Sequence, residues 1–438
     1  MSKFDRGILD FLSTRNKFDS RVASVLKDGE KIDALVRVRN PLHFGMLERN
    51  FEITHAYPFI STVGIKCGLK EAIMLEKMQE VEYVSSQSRV FALDFESGDK
   101  VPAVNDECDE NRVSTAKVDG ESKINCKNDG IGDKRKELPS SGSNNGFKAG
   151  KRIRSDIVDK TDENCVNVEK VDFLQTGANV GELDGRGVTM CVLDTGISPH
   201  LDLSVPKERI VHFVDMIGNE TEPYDDNGHG TFVTGVAIGN GLTSAGEIRG
   251  VAPMANVVGV KVIGKSGESG AYKILDGMQW LFDNFRRYDI RVACMSFGAE
   301  PLAYADPLKI GAEMLARSGI IVVCASGNSG ENGIKSPAIS REVIAVGAVD
   351  KEGNIANFSS RGVYQGVYRP DVYANGVDVI STCAGGTYST MSGTSASAPY
   401  IAGACCLLCQ KYRNITPNQA KNIILNSSIV KNQIRIFT

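Results

Sequence analysis

At 438 residues the chain is too long for one ordinary domain and suits two or three units. Its formal net charge of −4, with 42% hydrophobic and 24% charged residues, is that of a globular protein and gives no electrostatic reason to expect nucleic acid or a membrane as partner. No apolar run approaches the roughly 18 residues that a bilayer requires. The opening MSKFDRGILDFLSTRNKF has charges inside its short apolar stretch and no small-residue cleavage site, so a secretory signal is not expected. Eleven cysteines is an odd number for a disulfide framework, and Cys191, Cys294, Cys324, Cys405, Cys406 and Cys409 sit within apolar stretches, where reduced thiols act as small hydrophobes. Cys406 and Cys409 have CxxC spacing but no second ligand pair nearby. A reducing, cytoplasmic setting is expected.

Residues 1–95 alternate strand-like and helix-like stretches. IDALVRVR (32–39) reads as a strand and PLHFGMLERN (41–50) as a short helix. Two more strands are expected across FEITHAYPFI and STVGIKCG (51–68), then a helix in LKEAIMLEKMQ (69–79). VEYVSSQSRVFALDF (81–95) closes the unit on extended chain. The order β-α-β-β-α-β is the ferredoxin-like arrangement, a small α+β fold shared by many functions.

Residues 96–169 are rich in Asp, Glu, Lys, Asn, Ser and Gly, without periodicity. Such a stretch buries too little apolar surface to offset its ordering entropy, so a flexible, protease-sensitive linker is expected. Its basic patches, Lys134-Arg135-Lys136 and Lys151-Arg152-Ile153-Arg154, are interleaved with acids and read as solvated linker.

From 170 to 438 the pattern becomes strand, helix, strand. GVTMCVLD (187–194), NVVGVKVI (256–263), IRVACMSF (290–297), IIVVCAS (320–326) and VIAVGAV (343–349) are near-continuous apolar runs, the mark of strands buried on both faces of a parallel sheet. Helix-length stretches such as GAYKILDGMQWLFDNF and DPLKIGAEMLARS lie between them. The region reads as a doubly wound α/β domain, whose ligand site belongs at the carboxyl ends of the strands.

Four residues invite a chemical reading, and each has a plain structural one. Asp194 ends the first buried strand, where acids often form turns or caps. His229 lies between glycines in DDNGHGTFVTG (225–235), glycines that allow close backbone approach. Ser395, in SGTSASAPY (392–400), begins an apolar helix as an N-cap serine would. That helix terminus also supplies free N–H groups and positive potential for an oxyanion. Asn328, in ASGNSG (325–330), is either a turn asparagine or an amide donor to that oxyanion. The set is harder to dismiss than its members. The order Asp, His, Ser differs from that of the α/β-hydrolases and of chymotrypsin, and no P-loop or G-x-G-x-x-G follows the first strand.

VLDTGI (192–197), NGHGTFVTG (227–235), SGNSG (326–330) and MSGTSASAP (391–399) resemble the Asp, His, oxyanion-hole and Ser motifs of the subtilases, over roughly residues 170–430. The chain looks most like the intracellular, AprX-like branch. The resemblance implies a subtilisin-like serine endopeptidase acting on protein or peptide substrates, needing no cofactor for its chemistry. Asp194 would orient His229, His229 would take the proton of Ser395, and Asn328 with the Ser395 N–H would form the oxyanion hole. Ser296-Phe297-Gly298 and Ala325-Ser326-Gly327 match the two segments that pair with an extended substrate and shape its S1 pocket.

Three departures from the family pattern stand out. Phe232 replaces a second histidine after HGT, with an effect expected on packing rather than on chemistry. Ala396 replaces the methionine that often follows the nucleophile, which removes an oxidation hazard. NGLTSAGEIRG (240–250) does not reproduce the usual calcium loop, leaving Asp202 as the one candidate calcium ligand. By the same resemblance, residues 1–95 would be a prodomain, chaperone and inhibitor of the chain itself, with the VFALDFES end entering the cleft. The rival reading is a pseudoprotease or regulatory binding protein that never releases that domain.

Overall fold

The computed structural model describes residues 17–19, 22, 26, 31–93, 183–302, 305–431 and 434–437. The expected linker at 96–169, and the boundaries drawn beside it, lie outside the described residues.

In the amino-terminal part, β1 (Ile32–Val38), α1 (Phe44–Glu48), β2 (Ile53–Tyr57), β3 (Thr62–Cys67), α2 (Leu69–Lys77) and β4 (Val81–Ser86) follow the expected order. The sheet runs β2-β3-β1-β4 with every described neighbour antiparallel. Its core is built from residues such as Val36, Val63, Ile65, Leu75 and Val84. A further strand, β5 (Arg89–Ala92), leaves this sheet altogether.

The carboxy-terminal part contains β6 (Thr189–Asp194), α3 (Leu201–Ser204), β7 (Ile210–Asp215), α4 (His229–Ile238), β8 (Asn256–Lys261), β9 (Glu268–Gly270), α5 (Ala271–Asn284), β10 (Ile290–Met295) and β11 (Phe297–Gly298). It continues through α6 (Pro307–Arg317), β12 (Ile321–Ala325), β13 (Ile344–Val349), the hairpin β14 (Gly362–Tyr364) and β15 (Val367–Arg369), and β16 (Val372–Asn375). A second hairpin, β17 (Val379–Cys383) and β18 (Thr387–Met391), precedes α7 (Thr394–Lys411), α8 (Pro417–Ser427), β19 (Ile429–Lys431) and β20 (Ile434–Ile436).

Nine strands form one sheet in the order β19-β20-β16-β13-β12-β10-β6-β8-β7, parallel except where β19 joins β20. Every residue of β6, β12 and β13 is buried, which is why those runs read as continuous apolar segments. Side chains alternate between two cores: Met190 and Val192 face α7, while Cys191 and Leu193 face α5 and α6. Strand order reverses at β6, between β8 and β10, and the last residue of β6 is Asp194. The topological switch point therefore falls where the sequence placed its first candidate residue. No helix among the described residues is long and apolar enough to cross a membrane.

Candidate active site

Asp194 and His229 are brought together by their neighbours. Thr195 Oγ donates to Asp225 Oδ1 at 2.8 Å and accepts the Gly230 N–H at 2.8 Å. The other oxygen of Asp225 accepts the Thr231 N–H and hydroxyl, at 2.8 and 2.7 Å. A Cβ on Gly230 would lie 2.1 Å from the Gly196 carbonyl oxygen, so only glycine permits this approach of helix start to turn. The outcome is a 2.6 Å contact between His229 Nδ1 and Asp194 Oδ1, with both side chains wholly buried. Burial pushes the Asp194 carboxyl up, while the imidazole and the Thr195 N–H, 2.7 Å from the same oxygen, pull it back. Lys261, fully buried at the end of β8, braces this turn through the Thr195 carbonyl and, at 2.6 Å, Asp226.

Ser395 is the second residue of α7. Pro399, four residues on, has no N–H, so the Ser395 carbonyl lacks its helical donor. Ser296 Oγ donates to it instead, at 3.2 Å. The Ser395 hydroxyl has two acceptors in reach, Leu93 O at 2.7 Å and Ser296 O at 2.9 Å, and its single proton serves one at a time.

Asn328 is oriented by a relay. The Gly327 N–H donates to Thr394 Oγ1 at 3.1 Å, and the Thr394 hydroxyl and N–H donate to Asn328 Oδ1 at 2.9 and 3.0 Å. With its oxygen so occupied, the amide turns Nδ2 toward Leu93 O, 2.6 Å away. One carbonyl oxygen thus lies within hydrogen-bond reach of both the Ser395 hydroxyl and the Asn328 amide. That is the pair of groups an acyl-transfer site directs at a scissile carbonyl.

Leu93 arrives there because β5 lies as the middle strand of a three-stranded sheet, between β11 and β9. Phe297 and Gly298 pair with Ala92 and Phe91, and the Leu93 N–H donates to Ser296 O at 3.3 Å. Ser296-Phe297-Gly298 thus border the chain's own extended segment, Phe297 and Gly298 through the ladder and Ser296 through its carbonyl. The other border differs from expectation. Glu268–Gly270 pairs with Arg89–Phe91, a role no residue property of that polar triplet had signalled. Ala325-Ser326-Gly327 makes no ladder with β5; it helps wall the pocket beyond Leu93, where the Ser326 carbonyl accepts the Lys335 N–H at 3.0 Å. Val90 and Leu93 are buried, whereas Phe91 is exposed.

Asp202 does not fit a calcium ion. Its Oδ1 accepts the Thr243 N–H and hydroxyl at 2.8 and 2.9 Å, and its Oδ2 the Tyr388 hydroxyl at 2.6 Å. Calcium takes six to eight oxygen ligands, and hydroxyls that spend their protons on a carboxylate are not arranged as such a shell. No group of three or more His, Cys, Asp or Glu suited to a metal occurs among the described residues. Phe232 and Ala396, two of the departures from the family motifs, share one apolar cluster with Val236 and Val379.

Residues 185–436 match the model of the subtilase family. The chain is 40% identical to Serine protease AprX of Bacillus subtilis (strain 168), over 56% of its own length and 62% of that protein's. It is 37% identical to Subtilisin Savinase of Lederbergia lenta, over 56% of this chain and 85% of that one. A crystal structure of a cold adapted subtilisin-like serine proteinase superposes with a TM-score of 0.50 at 29% identity, covering 58% of this chain and 87% of the other.

Proposed function

The chain belongs to the subtilase family, and from that premise we propose that it is a serine endopeptidase made as a self-inhibited zymogen that cuts its own Leu93–Asp94 bond. The observation carrying this reading is the Leu93 carbonyl oxygen, 2.7 Å from Ser395 Oγ and 2.6 Å from Asn328 Nδ2. Residues 90–93 occupy the cleft as a substrate would, by strand addition, with Val90 and Leu93 buried at its two ends.

In the proposed reaction His229 accepts the Ser395 proton as the serine oxygen bonds to the Leu93 carbonyl carbon. Asp194 keeps the imidazole in the right tautomer and stabilises it when charged. The oxyanion is held by the Asn328 amide and the N–H groups at the start of α7. His229 then gives its proton to the leaving amine, an acyl-enzyme remains, and water attacks it by the same route. Other proteins or peptides enter once the amino-terminal part departs. Cytoplasmic residence belongs to the same proposal, supported by eight free cysteines among the described residues, seven of them buried.

One observation favours a second reading, a regulatory binding protein: the cleft is filled by the chain's own residues. A fluorophosphonate probe separates the two. Labelling of the processed parent chain, absent from Ser395→Ala, supports the endopeptidase. A chain that keeps its amino-terminal part and never labels is the binding protein.

A further inference from the structure

Resting on the endopeptidase reading, we infer that Lys335 sets the charge selectivity of the pocket that receives the residue before the cut: it admits glutamate beside leucine and refuses lysine and arginine. Leu93 fills that pocket and is 7% exposed. A Cβ placed on Gly298 would lie 3.2 Å from Leu93 Cδ1 and 2.6 Å from Lys335 Cβ, so the two side chains meet across one glycine. On its other side, Lys335 Cγ would lie 2.5 Å from a Cβ on Gly327. The lysine stem is thus inserted between the two segments that wall the pocket, in space that two glycines leave open.

The head of this side chain goes elsewhere. Lys335 is 13% exposed, while Glu300, the carboxylate its ammonium pairs with, is 73% exposed. The stem offers leucine an apolar wall while the charge stays at the mouth, held by a pair that solvent weakens. A glutamate side chain in the pocket offers the ammonium a less solvated partner, and the attraction there is stronger. A lysine or arginine brings a like charge against it.

The test uses the full chain and its own cut. Leu93→Glu, Leu93→Gln and Leu93→Lys are prepared, each alone and with Lys335→Glu, and scission after residue 93 is timed by intact mass. Expected is Leu93→Glu cut at least as fast as Leu93→Gln, and Leu93→Lys slower than Leu93→Glu by roughly tenfold to a hundredfold, the range of one partly desolvated charge pair. Lys335→Glu reverses the order, rescuing Leu93→Lys. Glu300→Gln, which frees the ammonium, raises the rate of Leu93→Glu relative to Leu93→Gln.

Should a variant fail to melt cooperatively, Lys335→Met and the p-nitroanilides of succinyl-Val-Phe-Ala-Leu, -Glu, -Gln and -Lys give the same ratios in trans. Scission with a glutamate-to-lysine ratio that Lys335 variants leave within threefold overturns the inference alone. A parent that cuts neither itself nor the leucine peptide overturns the endopeptidase reading, and this inference with it.

Discussion

Tyr388 donates its hydroxyl to Asp202 Oδ2 at 2.6 Å, tying the β17–β18 hairpin to α3 just beyond the Asp194 turn. Burial alone would raise the Asp202 carboxyl, but hydrogen bonds from Tyr388 and Thr243 bring it below the ordinary carboxylate range. A depressed folded value means stability that is present above the unfolded value, about 3.9, and lost as pH falls through the folded one. Tyr388→Phe should therefore cost about 1–3 kcal/mol at neutral pH, and the gap from the parent should narrow below about pH 4. Thermal melting of both chains across pH 2–7 checks this. A chelator should leave the difference in Tm between the two chains unchanged, because protein donors already satisfy Asp202.

Asp194→Asn keeps the shape of the 2.6 Å contact to His229 but favours the wrong imidazole tautomer. A loss of about 10⁴-fold in kcat with little change in KM is expected. Steady-state kinetics on the processed chain measures it.

Asn328→Ala removes the amide 2.6 Å from the Leu93 oxygen and strands the Thr394 N–H. The expected fall in kcat is on the order of 10²–10³, with self-cleavage slowed by a similar factor. A time course of intact mass reads the second effect directly.

The amino-terminal part is held by more than β5. The Tyr57 hydroxyl has two acceptors in reach, the Tyr272 carbonyl and Asp276, each at 3.0 Å, and its one proton serves one at a time; the Tyr272 hydroxyl donates to the Ala34 carbonyl at 3.0 Å. Removing a hydroxyl that binds a charged acceptor costs about 1.5–3 kcal/mol. Tyr57→Phe should thus shorten the lag before full activity by roughly tenfold or more, an effect an activation time course would register.

Much of this was legible in the sequence because the physics was local. The runs that became β6, β8, β10, β12 and β13 are apolar throughout, since both faces are covered. β7 escaped notice because it is an edge strand, IVHFVD, with exposed and buried residues mixed. β16 is four residues long, and the β17–β18 hairpin leaves much of its surface to solvent. The glycines around His229 did signal a close approach, and Gly230 supplies it. The supports had no such signature: Thr195, Asp225 and Lys261 act through contacts between loops far apart in sequence, and ESG at 268–270 is a strand only because β5 lies beside it. Lys335 was likewise invisible, since its place depends on two glycines that come together only in the fold.

The central claim is that Ser395 attacks the Leu93 carbonyl of its own chain. Intact mass and amino-terminal sequencing of purified parent and Ser395→Ala proteins test it most directly. The parent should yield a new amino terminus at Asp94, and Ser395→Ala should stay whole at that bond. A Leu93–Asp94 bond that remains intact in the parent, or that is cut equally in Ser395→Ala, would contradict it.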